Sequence, residues 1–252
     1  IVIGVFYGMA FTWVCLRVKE GSYPPPPALV DGRSADGGRW STIRLETGRY
    51  VRECFAHPYY LSVFVLLQFS MLAFGPINTF AIPYARSLGV DMEVYGKFLA
   101  LTFLISLGLS FFLGWMADAF HPLRMAIATL ADYALVMVWG GLYVTTDRTF
   151  LIAWVAHGVL AGCYLTSVAS LGQRLFPRSK FAQFASAAGV FTSVANMTMA
   201  PLMGLLIDRT GGICRYAFVV GGVMAVLALA AGFYVHGRFM KLGGPRGYEA
   251  PE

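Results

Sequence analysis

Charge is what this chain has least of. Of its 252 residues, 13% are Asp, Glu, Lys or Arg, against about 25% in an ordinary soluble domain. That deficit excludes a water-facing surface of the usual kind. Cysteine is sparse too. Cys15, Cys54, Cys163 and Cys214 are scattered with no CxxC pair, which excludes a disulfide framework or a thiolate metal site. No HExxH and no GxSxG occurs, so there is no sign of a zinc hydrolase or of a nucleophile elbow, and no enzyme is expected. Period-two alternation is missing, which excludes a membrane β-barrel. No basic platform laced with aromatics is present, so the formal charge of +6 does not point to nucleic acid. No resident cofactor or metal is expected.

What is present is apolar. Hydrophobic residues make up 58% of the chain and the mean hydropathy is +0.64. Such a chain belongs in lipid. About 20 apolar residues cross a bilayer, and the runs predict an all-α integral membrane fold of seven helices. These are Ile1 to Val18, Pro58 to about Ser87, Val94 to Ala119, Pro122 to Thr145, Thr149 to Gln173, Phe181 to Ile207 and Tyr216 to Val235. Between the first two lies a long polar stretch, residues 19–57. Glu20 to Pro27 reads as stiff polyproline, and Asp31 to Arg39 as flexible linker. Thr42 to Phe55 puts Tyr50, Val51, Cys54 and Phe55 on one helical side and Arg49, Arg52 and Glu53 on the other. That pattern suits a short amphipathic helix along a membrane surface; a frayed linker is the alternative. Residues 238–252 form a basic tail broken by Gly and Pro.

Lys and Arg set the orientation. Fourteen of the 19 fall in one set of connections: residues 17–52, Arg124, Arg174 to Lys180 and Arg238 to Arg246. Arg86, Lys97, Arg148, Arg209 and Arg215 make up the other set. The richer set is expected in the cytoplasm. The C-terminus is then inside and, with seven spans, Ile1 is outside. The chain opens within an apolar run and without a basic leader, so a piece of a longer protein is expected. The expected location is the cell (inner) membrane.

The most distinctive stretch is GWMADAFHPLR, Gly114 to Arg124, between two spans. Gly114 is expected to let helices approach closely. Asp118 is expected to pair with Arg124 across the turn or to cap a neighbouring helix. His121-Pro122 stops one helix and starts the next. The stretch resembles the cytoplasmic loop motif of the major facilitator superfamily, with Ala119 where the motif often has Arg and with His121 and Pro122 in its turn region. The resemblance implies transport by alternating access. It also implies that the motif follows helix eight, that the chain carries helices six to twelve, and that its last six helices form one half of the bundle. A separate N-terminal half would be its partner, beside the lipid bilayer and a small-molecule solute. The strings VKEGSYPPPP, RLFPRSKFAQFASA and KLGGPRGY resemble the sugar:cation symporter branches, near the glycoside–pentoside–hexuronide and sucrose transporters. They imply a sugar or glycoside as solute, with H⁺ or Na⁺ as coupling ion. Asp118 with Gly114 and Arg124 is then a gating motif.

Interrupted helices point to transporter binding sites. Gly75-Pro76 is expected to break the second span beside Asn78 and Thr79, and Pro201 to kink the sixth. Gln68, Gly75 and Thr79 share a face. His157 and Tyr164 share a face of the fifth span, and His157 lies about 12 Å from its outer end, the depth of Asn78. Amide, hydroxyl and imidazole groups suit a hydroxylated solute; hydrogen bonding between helices is the bland alternative. Asp132 is a mid-membrane carboxylate, by default a functional hypothesis. An Asp132–His157 pair is expected as an ion-coupling element. Two small-residue stripes, Thr102-Ser106-Ser110 and Ser186-Gly189-Ser193-Asn196, are expected to pack against other helices. A seven-helix receptor-like protein or a non-transporting membrane sensor is the competing reading. The last span, however, has no lysine to hold retinal and no NPxxY-like string.

Overall fold

The computed structural model of the protein describes residues 2–18 and 39–251. The polyproline and nearly all of the flexible linker expected between Glu20 and Arg39 lie outside the described residues. Every regular element among those residues is helical. The chain divides into two compact units, Ile1–Leu45 and Glu46–Glu252.

The first unit contains α1 (Val2–Arg17), an apolar helix of 16 residues. At 1.5 Å per residue it spans about 24 Å, short of the roughly 30 Å hydrocarbon core. The Arg17 guanidinium lies 5.0 Å above the Trp13 ring, a cation–π contact at the helix end. Helix α2 (Arg39–Phe55) crosses the unit boundary. Its amphipathic pattern gives a helix from Arg39 onward.

In the second unit, α3 (Pro58–Ser87), α4 (Met92–Phe120), α5 (Pro122–Tyr143), α6 (Asp147–Val168), α7 (Leu171–Leu175), α8 (Phe181–Arg209), α9 (Tyr216–Lys241) and α10 (Gly244–Gly247) follow in order. A 3-10 turn at Arg178–Lys180 precedes α8. Among the described residues six helical stretches are long and apolar enough to cross a membrane, and α1 is not among them. The fifth predicted span ends earlier than the sequence suggests: α6 stops at Val168 and α7 restarts at Leu171. The last runs further, to Lys241.

Local chemistry sets these ends. His57 caps α3, its Nδ1 accepting from the Tyr59 amide at 3.3 Å, with Pro58 in the first turn. Asp91 caps α4 by accepting from the Glu93 and Val94 amides. Thr146 and Thr149 form a reciprocal capping box at the start of α6, which satisfies otherwise orphaned amides. Between α4 and α5 a single residue, His121, turns the chain at φ 78. That is the left-handed region, which non-glycine side chains seldom enter.

The spans pack as an arc in the order α4, α6, α5, α9, α3, α8. Exchanging α3, α4, α5 with α6, α8, α9 turns this order into its own reverse. The unit is thus a pair of three-helix triplets, and the first helices of the two, α3 and α6, also touch. Glycine makes the close contacts. A Cβ on Gly221 of α9 would lie 2.8 Å from the Ala73 carbonyl oxygen of α3. A Cβ on Gly158 of α6 would collide with the Thr102 methyl of α4, and one on Gly162 would come within 3.0 Å of Ser106 Oγ. The Thr102-Ser106 part of the α4 stripe is therefore a packing seam, as small residues permit.

Several expectations need correction. Gly75-Pro76 does not break a helix: α3 is continuous with Pro76 and Pro83 inside it. Proline removes one backbone donor, here the partner of the Leu72 carbonyl, yet the helix does not end. Thr79 Oγ1 donates to the Gly75 carbonyl at 2.9 Å, strapping the turn. At Pro201, where a kink is expected, α8 also runs on without a break. Gly114 makes no close approach: a Cβ there would meet nothing within 4 Å, because α4 meets its neighbour at Thr102 and Ser106 instead. The α8 stripe also lacks a neighbour, since Ser186, Gly189, Ser193 and Asn196 are exposed.

The last turn of α2 docks on the start of α8. Tyr50 and Cys54 reach the Gln183 carbonyl. Glu53 accepts from Gln183, Arg49 and Lys180 at 3.0–3.2 Å. The Gln183 amide, with the Arg49 and Lys180 hydrogen bonds, holds the Glu53 carboxyl down at about 2.

Two predictions follow from this packing. Gly221→Ala should lower thermal stability in detergent by about 1–3 kcal/mol, since a backbone carbonyl cannot step aside as a side chain can. Gly75→Ala should be neutral or stabilising by up to about 1 kcal/mol, because the added methyl meets open space and gains helix propensity. Equal losses in thermal melts would disprove the close α3–α9 approach. For Glu53 the folded carboxyl titrates below its ordinary value of 4.5, so its contribution is present above about pH 4.5 and lost as pH falls towards 2. The thermal midpoint of the wild type should drop through that window, and that of Glu53→Gln should drop less.

Candidate functional site

Three helices meet around His157, in the middle of the second unit. Its ring is 1% exposed. On one side Nδ1 is 2.8 Å from the Tyr133 hydroxyl of α5. On the other, Nε2 is 3.1 Å from Asn78 Oδ1 of α3. Tyr133 Oη also lies 3.2 Å from the Ala73 carbonyl oxygen, one turn before Asn78. The chain Asn78–His157–Tyr133–Ala73 thus leaves α3, crosses α6 and α5, and returns to α3. Phe74 and Trp154 hold the ring in place: Trp154 stacks on His157 at 5.5 Å, and Phe74 meets Tyr133 edge-on at 4.8 Å.

Proton counting makes the group informative. Tyr133 has one hydroxyl proton. If it donates to Ala73, His157 Nδ1 must donate to Tyr133. Nε2 can then donate to Asn78 only if the ring carries a second proton. A neutral ring satisfies two of the three contacts as drawn: Tyr133 donates to Nδ1, Nε2–H donates to Asn78, and the Ala73 contact lapses. The ring tautomer is inferred from partners. With the Asn78 oxygen facing Nε2, a second ring proton satisfies all three contacts; with the amide turned over, a neutral ring protonated on Nδ1 satisfies them too.

Around this chain sit buried polar atoms without partners. Both side-chain polar atoms of Gln68, the Tyr164 hydroxyl and Trp154 Nε1 are buried and unbonded among the described residues. Each such group costs about 1–3 kcal/mol and asks for an explanation. Asn78 and Thr79, by contrast, stand on the exposed side of α3, so the Asn78 end of the chain lies at an open face. Tyr133 and Trp154 escaped the sequence reading. Tyr133 was masked by Asp132, its neighbour in the chain.

Asp132 is elsewhere. It lies on the exposed stripe of α5 with Arg124, Ala128 and Leu135, a helical turn apart in each case. The expected Asp132–His157 pair does not form, because residue 133, rather than 132, faces α6 and both ring nitrogens are taken. The motif at Asp118 differs as well. Asp118 pairs with Arg174, at the start of the α6–α8 connection, at 2.7 Å. Arg124 turns away towards the Met240 sulfur, 4.0 Å off. The left-handed His121 separates the two directions. No three His, Cys, Asp or Glu residues are grouped to hold a metal among the described residues.

The network yields a prediction. Tyr133→Phe leaves one buried imidazole nitrogen and one carbonyl short of a partner and should cost about 1–3 kcal/mol. Asp132→Asn, on the exposed stripe and outside this chain of bonds, should cost less. Thermal melts of both variants check this; a larger loss at Asp132 would contradict the geometry.

Comparison with known proteins gives one family. The family model for the Major Facilitator Superfamily matches residues 1–250. Neither the curated proteins nor the solved structures contain a match. Members of this family are transporters rather than enzymes. With six apolar helices of spanning length and a family match over nearly its whole length, the chain belongs to the Major Facilitator Superfamily.

Proposed function

We propose that the protein carries a small hydroxylated solute, a sugar or glycoside, by proton-coupled alternating access, with the Asn78–His157–Tyr133 chain as its coupling element. The observation that carries this reading is the proton count at His157. With the Asn78 oxygen facing Nε2, an added ring proton lets His157 donate to both Asn78 and Tyr133. Those two bonds join α6 of one triplet to α3 and α5 of the other, so proton binding bears on a contact between the triplets, which is what coupling to a conformational change requires. Imidazole is the side chain suited to exchanging protons near neutral pH. A Na⁺ site would need several oxygen ligands, and no carboxylate bonds to this chain among the described residues.

Gln68, Asn78, Thr79 and Tyr164 are the proposed solute groups, with Trp154 added. Unpartnered buried donors and acceptors on the two central helices suit hydroxyl groups, which both donate and accept. When the bundle opens, the solute would take the bonds that Gln68, Tyr164 and Trp154 lack.

The unit itself reads as one half of a carrier. Its reversing arc of two triplets is the arrangement expected for a six-helix half of this superfamily. The exposed, small and polar α8 face suits close contact with another helix bundle. On this reading the second half is its partner. The Asp118–Arg174 pair closes the cytoplasmic end of the gate, and the C-terminus is cytoplasmic.

Uptake of a labelled sugar panel into vesicles, under a pH gradient or a Na⁺ gradient, tests the proposal. Uptake should follow the pH gradient. His157→Gln should abolish accumulation against a gradient while sparing solute exchange. Asp132→Asn should leave both intact. Gln68→Met should raise thermal stability by about 1 kcal/mol, because it removes an unsatisfied amide, and should reduce uptake. Accumulation driven by Na⁺ alone, or unchanged in His157→Gln, would overturn the coupling role.

A further inference from the structure

A second cluster lies at the other end of α5, outside the central chain. Two adjoining clefts of about 530 and 500 Å³ share His121, Arg174, Pro245 and Arg246 in their walls. Arg178 lines the first and Arg124 the second. Asp118 is the only carboxylate in either wall. The clefts exist because the chain after α9 folds back. Tyr248 Oη donates to the Leu175 carbonyl at 2.7 Å, and Tyr60 Oη to the Pro251 carbonyl at 2.6 Å. Gly243 and Gly244, both left-handed, turn the chain so that Arg246 faces the α6–α8 connection that bears Arg174 and Arg178.

We propose that this cleft binds a phosphate-bearing anion, either inorganic phosphate or the headgroup of an anionic phospholipid. Each cleft holds three guanidinium groups, Arg174 and Arg246 with Arg178 in the first and with Arg124 in the second, and among the described residues Asp118 lines the second alone. Guanidinium forks suit phosphate oxygens in bidentate geometry. His121 adds a neutral donor. Its Nδ1 accepts from the Leu123 amide, so the neutral ring carries its proton on Nε2, the side left for the cleft. Burial, with Arg174 and Arg124 close by, pushes the His121 imidazole down to about 4, so it remains neutral beside the arginines. Asp118 is the internal competitor: it holds Arg174 at 2.7 Å, and an incoming anion takes its place. The ligand would bridge the folded-back tail to the α6–α8 connection. This inference is independent of the transported solute.

Binding is read as a concentration-dependent rise in the thermal midpoint of the purified protein in neutral detergent. One arm titrates inorganic phosphate. The other titrates dihexanoyl phosphatidylglycerol against dihexanoyl phosphatidylcholine. Saturable binding is expected in at least one arm, and the arm that responds identifies the source. The double variant Arg178→Gln/Arg246→Gln should weaken it by about tenfold or more, the scale of lost charge-assisted bonds. Asp118→Asn should tighten it, a change that mere damage to the fold would not produce. Arg209→Gln, at the far end of α8, is the control and should change nothing. No saturation by either phosphate compound, equal binding in the double variant, or weaker binding in Asp118→Asn would each overturn the proposal.

Discussion

A hydrocarbon medium offers no hydrogen bonds, and this constraint governs the molecule from backbone to site. Each unsatisfied polar group there costs several kcal/mol, so the chain crosses as helices and pairs within itself. Proline tests the rule three times inside the spans, at Pro76, Pro83 and Pro201. At Pro76 the missing donor is the one the Leu72 carbonyl would have met, and the helix runs on without it. Thr79 lends its hydroxyl to the Gly75 carbonyl, and Tyr133 reaches the Ala73 carbonyl from a neighbouring helix. The same need to pair internally draws Asn78, His157 and Tyr133 into one chain. A polar group that finds no partner in such a medium, as at Gln68, is a cost the fold carries, and costs of that kind collect where proteins bind other things.

Packing explains why the polar chain sits where it does. Lipid tails are as apolar as the helix faces, so helices associate through close van der Waals contact rather than by leaving water. Gly221 lets α9 approach the α3 backbone at Ala73, and Gly158 and Gly162 let α6 approach α4. These seams join the two triplets. They leave the first helix of each, α3 and α6, in contact at the centre, and those helices carry Asn78 and His157. The exposed faces of α4 and α8 are what remains once the seams are filled.

Much of this was legible in the sequence, and the failures have physical causes. Long apolar runs announced the six spans from Pro58 onward closely. Helical rise set Asn78 and His157 at one depth, and the structure places them in hydrogen-bond reach. Facing direction was harder. A position differs from its neighbour by about 100° around a helix, so the eye went to the charged Asp132 while Tyr133 took the inward place. Periodicity through Arg124, Ala128, Asp132 and Leu135 held the missing signal. Gly75-Pro76 looked like a break because sequence shows the donor that proline removes but not the packing around α3 that keeps the helix whole. The Asp118 partner was invisible for another reason: Arg174 is 56 residues away, and no local rule reaches that far.

The two clusters are not independent, because they are strung on the same helices. From His121 at its start, α5 runs to Tyr133 near its middle. From His157, α6 runs on through α7 to Arg174. A movement of α6 relative to α5 therefore strains both the His157–Tyr133 bond and the contacts around Asp118–Arg174. Their surroundings differ in kind. His157 is enclosed, so the hydrogen bonds at its two ring nitrogens are obligatory. Asp118 is 76% exposed, and a surface pair of that sort contributes less than about 1 kcal/mol and weakens with salt. The central chain is thus the element able to enforce a conformation. The outer pair can only bias it, and a bias that small is one that an anion binding to Arg174 could reverse.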